Sequence, residues 1–369
     1  MLVGALLLAG CAREQADPAI AFSFNFGDSA FEGFLIEELE RVRPDGGRAL
    51  RVVGGAAAFR GTIGSALSAE VRRATTLAED PTVLVAVGPG GSREALQVAP
   101  VYRDARLAEL IPTATSRLLA ATGPQVFLLA ANDSVQGEFI GAFADTALRA
   151  RSVVVIHAPD EYGIGLASGT AVALAARGIA LTDRIPMRLT LDCASAADSA
   201  AHEAIADEVA LRGTPDVAVL AMRTVEAGCV ARVLRSRFPS IELIAGDGTD
   251  PDRFFLQRAG AAAEGAYLVA FWHAQLDRPG SSEFVRRFEA RVGRAALSSD
   301  AMFYDAVMLA GLAIREGGPN RDRVQEYLRE LGSTRPAYEG ITGPISFAPD
   351  ARHPLLMMRV TNGRSELVP

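Results

Sequence analysis

The feature that most restricts what this chain can become is its alternation of short apolar runs with amphipathic helical stretches. A strand that pairs parallel to the next must cross over through a helix, so this alternation predicts parallel sheets with helices on both faces. The strand candidates are Ile20–Phe24, Leu50–Val53, Val83–Val87, Val126–Leu129, Val153–His157, Ala180–Ile185, Val217–Leu220, Leu243–Ala245 and Ala266–Ala270. Between them lie helical stretches such as Thr62–Ala78, Ser134–Ala150, Tyr162–Arg177, Ala197–Leu211 and Glu226–Arg237. In the second of these, Val135, Phe139 and Phe143 recur at i, i+4 and i+8, which predicts an apolar face. After Trp272 the pattern turns helical (Ser281–Val292, Ser299–Arg315, Arg321–Leu331), and short strands close the chain around Ile345–Phe347, Leu355–Val360 and Ser365–Val368.

At 369 residues and 49% hydrophobic, the chain can bury two ordinary cores. The first strand–helix series ends near Ala131 and a second starts at Asn132, so the expected fold is α/β with two doubly wound parallel-sheet lobes. Ligands of open α/β sheets bind at the C-terminal edges of the strands, and two such edges facing each other make a cleft.

Charge and composition remove several functions. The net charge of -7 and the lack of a long basic run argue against a nucleic-acid partner. All 37 positive residues are Arg, which excludes a P-loop lysine and Schiff-base chemistry. His157, His202, His273 and His353 show no metal-ligand spacing, and Ser92 sits in GPGGSRE rather than in a nucleophile elbow. Gly163-Ile-Gly165 lacks the third glycine of a dinucleotide loop. No catalytic residue, metal or cofactor is expected.

The first ten residues, MLVGALLLAG, are too short to span a bilayer but fit the apolar part of a secretory signal. Leu8-Ala9-Gly10-Cys11 resembles the bacterial lipobox, which would make residues 1–10 a signal peptide, Cys11 the lipidated residue and 11–19 a tether. The alternative is a chance Cys beside an apolar end. A basic leader is missing, so the true translation start is expected upstream. In an exported chain the remaining pair, Cys193 and Cys229, forms a disulfide or stays as two buried thiols; sequence leaves both open.

Ser92 follows a strand and a glycine-rich turn, where hydroxyl and backbone donors meet at a helix start, and Thr113, Ala114 and Thr115 sit at the next strand-to-helix junction. Each of Ser92 and Thr115 reads equally as a helix cap. The segments VGPGGS (87–92), LIPTATS (110–116), NDSVQG (132–137), DEYGIGLA (160–167), IAGDG (244–248), FYDA (303–306) and GPISF (343–347), in this order, resemble the leucine/isoleucine/valine-binding family of ABC-transporter substrate-binding proteins.

The resemblance runs from about Ile20 to the C-terminus. It implies a type I periplasmic-binding clamshell with three hinge crossings, near Ala131, Trp272 and Thr342. Lobe 1 would be 20–131 plus 272–341, and lobe 2 would be 132–271 plus 342–369. It implies a receptor, not an enzyme, that holds a small amino-acid-like ligand and delivers it to an ABC permease. The receptor would be tethered to the outer side of a membrane by its lipid anchor alone. Ser92, Thr113, Ala114 and Thr115 would cradle the ligand carboxylate, Asp247 would take the ammonium, Asp133 would be a second contact and Tyr162 would line the cleft. Arg223 stands where relatives carry an aromatic or small residue, facing either the cleft or solvent. Gly27–Val53 is plainer than the family pattern, with Gly54–Gly55 where a polar residue is common. The rival reading is a lipoprotein of this fold that binds a protein or regulates the cell wall, with a cleft filled by apolar side chains.

Overall fold

The computed structural model describes residues 17–24, 28–44, 47–55, 66–187, 193, 195–249 and 254–368. Cys11, the expected signal peptide and most of the expected tether lie outside them, as does the start of the helix expected from Thr62.

Two separate sheets form. The first holds β1 (Ala19–Phe22), β2 (Arg51–Gly54), β3 (Val83–Val87), β4 (Ala108–Ile111) and β5 (Val126–Leu128) in the order β2-β1-β3-β4-β5, all parallel. The second holds β6 (Ser152–His157), β7 (Ala180–Pro186), β8 (Val217–Ala221), β9 (Glu242–Ala245) and β10 (Tyr267–Ala270), also parallel. A hairpin, β11 (Tyr338–Gly340) and β12 (Gly343–Ile345), stands apart from both. The chain then adds β13 (Leu356–Thr361) and β14 (Arg364–Leu367) antiparallel to the edge of the second sheet. Helices cover both faces of each sheet, so strands such as β3 and β8 are buried at every residue.

The helices that carry the cleft follow the strands: α1 (Ser29–Arg41), α2 (Ala66–Glu79), α3 (Ser92–Asp104), α4 (Asp133–Thr146), α5 (Glu161–Ala176), α6 (Ala196–Leu211) and α7 (Thr224–Arg237). After a short α8 (Leu256–Ala259) come α9 (Ser281–Val292), α10 (Ser298–Gly317) and α11 (Arg321–Glu330), which return to the first sheet. Phe284 and Phe288 of α9 meet Phe34 and Phe31 of α1 edge to face, with ring centroids 5.9 and 5.6 Å apart. Asp305 of α10 accepts hydrogen bonds from the N–H groups of Ile341 (3.0 Å) and Thr342 (2.8 Å) and from the Thr342 hydroxyl (2.6 Å). This fixes the turn between β11 and β12 to α10. Cys193 and Cys229 form a disulfide, Cα atoms 5.5 Å apart, between the segment before α6 and the second turn of α7.

Four expectations are corrected. β4 is a full strand missing from the apolar candidates, though the junction at Thr113–Thr115 implied one, because Glu109 interrupts it; that carboxyl is fully buried and burial pushes it well above the usual range. No helix follows Thr113–Thr115: β4 leads into a loop and a three-residue 3₁₀ turn, Leu119–Ala121, so Thr115 is not a helix cap. The strand expected around Ile345–Phe347 joins the separate hairpin, not the second sheet. The face of α4 is also different. Val135 is 45% exposed and Phe139 and Phe143 pack only partly, whereas Gln136, Gly137, Ile140, Gly141 and Ala144 are buried.

The reason for that last shift is close helix contact. A Cβ on Gly137 would lie 2.3 Å from the carbonyl carbon of Gly169 and 2.4 Å from the Thr170 nitrogen of α5, both backbone atoms that cannot step aside. Gly137→Ala should therefore separate α4 from α5 and destabilise the protein by about 1–3 kcal/mol, the usual cost of overpacking. Urea unfolding measures it; an unchanged midpoint would mean the two helices are not in this contact.

Candidate functional site

The C-terminal edges of the two sheets face each other across a cleft of ≈ 700 Å³. Its first wall is the turn Gly88–Gly91 and the start of α3. Gly91 is the N-cap and provides no side-chain bond, so the first N–H groups of the helix keep their donor capacity. Ser92 is the first helical residue. Its Oγ accepts from the backbone N–H of Thr115 and of Ser116, both at 3.3 Å. With its lone pairs engaged, the hydroxyl hydrogen is the group left to donate. Thr113 donates through Oγ1 to the Gly90 carbonyl at 3.0 Å and locks the two loops together. This wall suits an anionic group such as a carboxylate.

The second wall is built from the ends of β8 and β9 and the start of α5. Asp160 caps α5 by accepting from Gly163 N–H at 2.8 Å, which sets Tyr162 in the first turn, aimed at the β9 edge. The Tyr162 hydroxyl accepts from Gly248 N–H at 2.9 Å. The ring lies so close that a Cβ on Gly248 would come within 2.8 Å of it, which is why the β9 exit reads Gly-Asp-Gly. Between those glycines Asp247 faces the cleft with Oδ1 shielded from solvent and without a hydrogen-bond partner among the described residues. Desolvation raises its carboxyl to about 6, with the Tyr162 hydroxyl and the Gln136 amide offsetting part of the rise. Burial and the neighbouring Asp247 push the Tyr162 hydroxyl well above the usual phenol range.

Of the residues singled out from sequence, Ser92, Thr113, Tyr162, Arg223 and Asp247 meet at the cleft surface. Ala114, Thr115 and Asp133 do not: each is 1% exposed and packs behind the wall. The loop after β4 turns inward, so the Thr115 carbonyl receives the Asp133 N–H at 2.8 Å and the two lobes touch there. Asp133 has neither carboxylate oxygen hydrogen-bonded among the described residues, and burial raises it to about 7; the Thr115 hydroxyl opposes the rise, and Asp247 and Asp160 add to it. Arg223 is the N-cap of α7 and lines the cleft, its guanidinium 3.7 Å from the Asp160 carboxylate.

Sequence reasoning missed Gln136, Glu94 and Glu226. Gln136 follows Asp133 by three positions and shares its helix face, a spacing that could have exposed it. Glu94 and Glu226 lie in the first turns of α3 and α7, where acids commonly serve only to complement the helix dipole.

A family model described as "Periplasmic binding protein" matches residues 65–365. An "Amino acid binding protein" of Pseudomonas aeruginosa strain PAO1 is 29% identical over 107 residues; the matched stretch spans only 29% of this chain and 29% of that relative. Among solved structures, the leucine-binding protein LivK of Thermotoga maritima superposes with a TM-score of 0.78 at 21% identity, covering 95% of this chain and 98% of the other. LivJ of Streptococcus pneumoniae in complex with isoleucine gives 0.78 at 20% identity, covering 96% and 99%. A Rhodopseudomonas palustris solute-binding protein in complex with benzoate gives 0.78 at 17%, covering 96% of each. The match of the family model along most of the length, on two parallel sheets that face each other over one cleft, means that the chain belongs to the periplasmic binding protein family: it is a solute-binding protein and not an enzyme.

Proposed function

We propose that this protein is the extracytoplasmic receptor of an ABC importer and that its ligand is an α-amino acid. The observation that carries the reading is Asp247, a shielded carboxylate oxygen without a partner, across the cleft from the donors of Ser92 and the α3 N-terminus. A zwitterion satisfies both walls at once. A simple aromatic carboxylate such as benzoate fills the first wall and leaves Asp247 unpaired, which costs several kcal/mol in a dry site. The cleft is open and not filled by side chains, which counts against the scaffold reading.

The lobes would be residues 20–131 plus 272–341 and 132–271 plus 342–369, bending at three crossings to close on the ligand. The test is calorimetric titration with the proteinogenic amino acids and with benzoate, alongside solution scattering. One amino acid should bind and compact the particle; binding of benzoate alone would sink the amino-acid reading. The lipid anchor is a separate proposal, supported by the LAGC sequence. Cys11→Ser in the native host should release the protein from the membrane fraction, since a lipid-anchored protein without its acyl chains has no other hold on the bilayer. Retention of the variant would refute the anchor.

A further inference from the structure

We infer that the ligand's side chain ends in a cation, an ammonium or guanidinium, and that Glu226 and Glu94 receive it. The inference rests on the amino-acid reading above and adds the class of side chain. The charge of the cleft is its starting point. Among the described lining residues are four carboxylates, Glu70, Glu94, Glu226 and Asp247, and one guanidinium, Arg223.

Three of these five charges are already spoken for. Glu70 is ion-paired with Arg73 one turn along α2. Arg223 faces Asp160. Asp247 opposes the ligand ammonium, and the ligand's own carboxylate goes to the first wall. Glu94 and Glu226 remain. Glu226 is 9% exposed, and its carboxylate reaches no other residue by a hydrogen bond or ion pair within the described chain. Glu94 has Oε2 shielded from solvent with no hydrogen-bond partner among the described residues.

The two acids come from opposite lobes. Glu94 stands on α3, and Glu226 stands on α7 three residues after Arg223. A Cβ built on Gly91 would meet Glu94 Oε2 first and lie 3.5 Å from Arg223 Nη2, so the two helix starts approach each other there. A helix N-terminus explains an acid in the first turn, but not two acids from facing helices that line one cavity without an ion pair among the described residues. Buried charges are retained where a counter-charge arrives. A leucine-like side chain would leave neither glutamate in an ion pair, with Arg223 attracting Glu226 only from beyond contact distance, whereas a cationic terminus bridges them and draws the lobes together.

Calorimetry on the whole, oxidised protein tests this with four probes: L-arginine, L-lysine, L-citrulline (the neutral isostere of arginine) and L-leucine. Arginine or lysine should bind at least about 30-fold more tightly than citrulline or leucine, the discrimination expected when a desolvated charge pair is lost. Glu226→Gln and Glu94→Gln should each shrink that preference about tenfold, the loss falling on arginine and lysine. Thermal melting of the unliganded variants, unchanged or raised, would show that they fold. Leucine or citrulline binding as tightly as arginine and lysine would overturn the cationic inference and leave the amino-acid receptor intact. Agmatine, which lacks the carboxylate, binding as well as arginine would support the glutamate pair but overturn the amino-acid reading. No binding by any of the probes or by any other amino acid would overturn both.

Discussion

Asp247→Asn should weaken binding of the cognate amino acid by about 2–5 kcal/mol, the usual loss when one partner of a buried charge pair is removed. The fold should survive. Asp247 Oδ1 has no partner in the unliganded protein, so an amide removes a desolvation cost without breaking a bond. Unliganded stability is therefore expected to hold or rise while affinity collapses, a combination that separates ligand contact from scaffolding. Ser92→Ala should cost less, about 1–3 kcal/mol, since it deletes a single neutral donor. Calorimetric titration of the two variants against wild type reads both effects. Wild-type affinity in Asp247→Asn would falsify the ammonium assignment and move attention to Arg223 and a ligand without an amine.

The second large effect is a stability gain from Asp133→Asn at alkaline pH. Asp133 is 1% exposed with both oxygens unpaired, and it titrates near 7 in the folded protein against 3.8 when exposed. Because the folded carboxyl holds its proton more tightly, the folded state binds more protons than the unfolded one between about pH 4 and 7. Stability contributed by this group is present below pH 4 and is lost progressively as pH rises through 7. At 1.36 kcal/mol per pH unit, the full span corresponds to about 4 kcal/mol. The amide variant should thus match wild type near pH 4 and exceed it at pH 8 by up to about that amount. Chemical denaturation at several pH values checks this; parallel curves for the two proteins would show that Asp133 is not a buried, unpaired acid. A bound cation at Asp247 should lower the Asp133 value and flatten the wild-type slope.

Much of the architecture was legible because strands buried on both faces must be written as unbroken apolar runs, and Val83–Val87 and Val217–Leu220 are such runs. β4 escaped because one buried glutamate, Glu109, makes a core strand look like a surface segment. The orientation of α4 escaped for the opposite reason. Its buried stripe is glycine and alanine, which carry little hydrophobic signal but permit backbone contact, while larger side chains stay near the surface. In the site, Ser92, Tyr162 and Asp247 were readable as strand-end residues in distinctive turns. Thr115 and Asp133 were placed one layer too far forward, since only three-dimensional turning of the loop after β4 decides which residue meets solvent. The two glutamates of α3 and α7 could not be told from dipole-complementing acids without knowing that both helices start at the same cavity.

The Cys193–Cys229 bridge has a practical consequence for anyone who makes this protein. It ties the segment ahead of α6 to the helix whose first turn presents Arg223 and Glu226. A chain produced in a reducing cytosol would keep two thiols there, and α7 would lose its covalent tie, keeping only packing and polar contacts such as Arg223–Asp160 and Thr224–Gly248. Affinities taken from such material would describe a receptor with an untethered wall. Preparation through an oxidising compartment, with the thiol count checked before titration, is therefore part of defining the specimen and not a refinement of it.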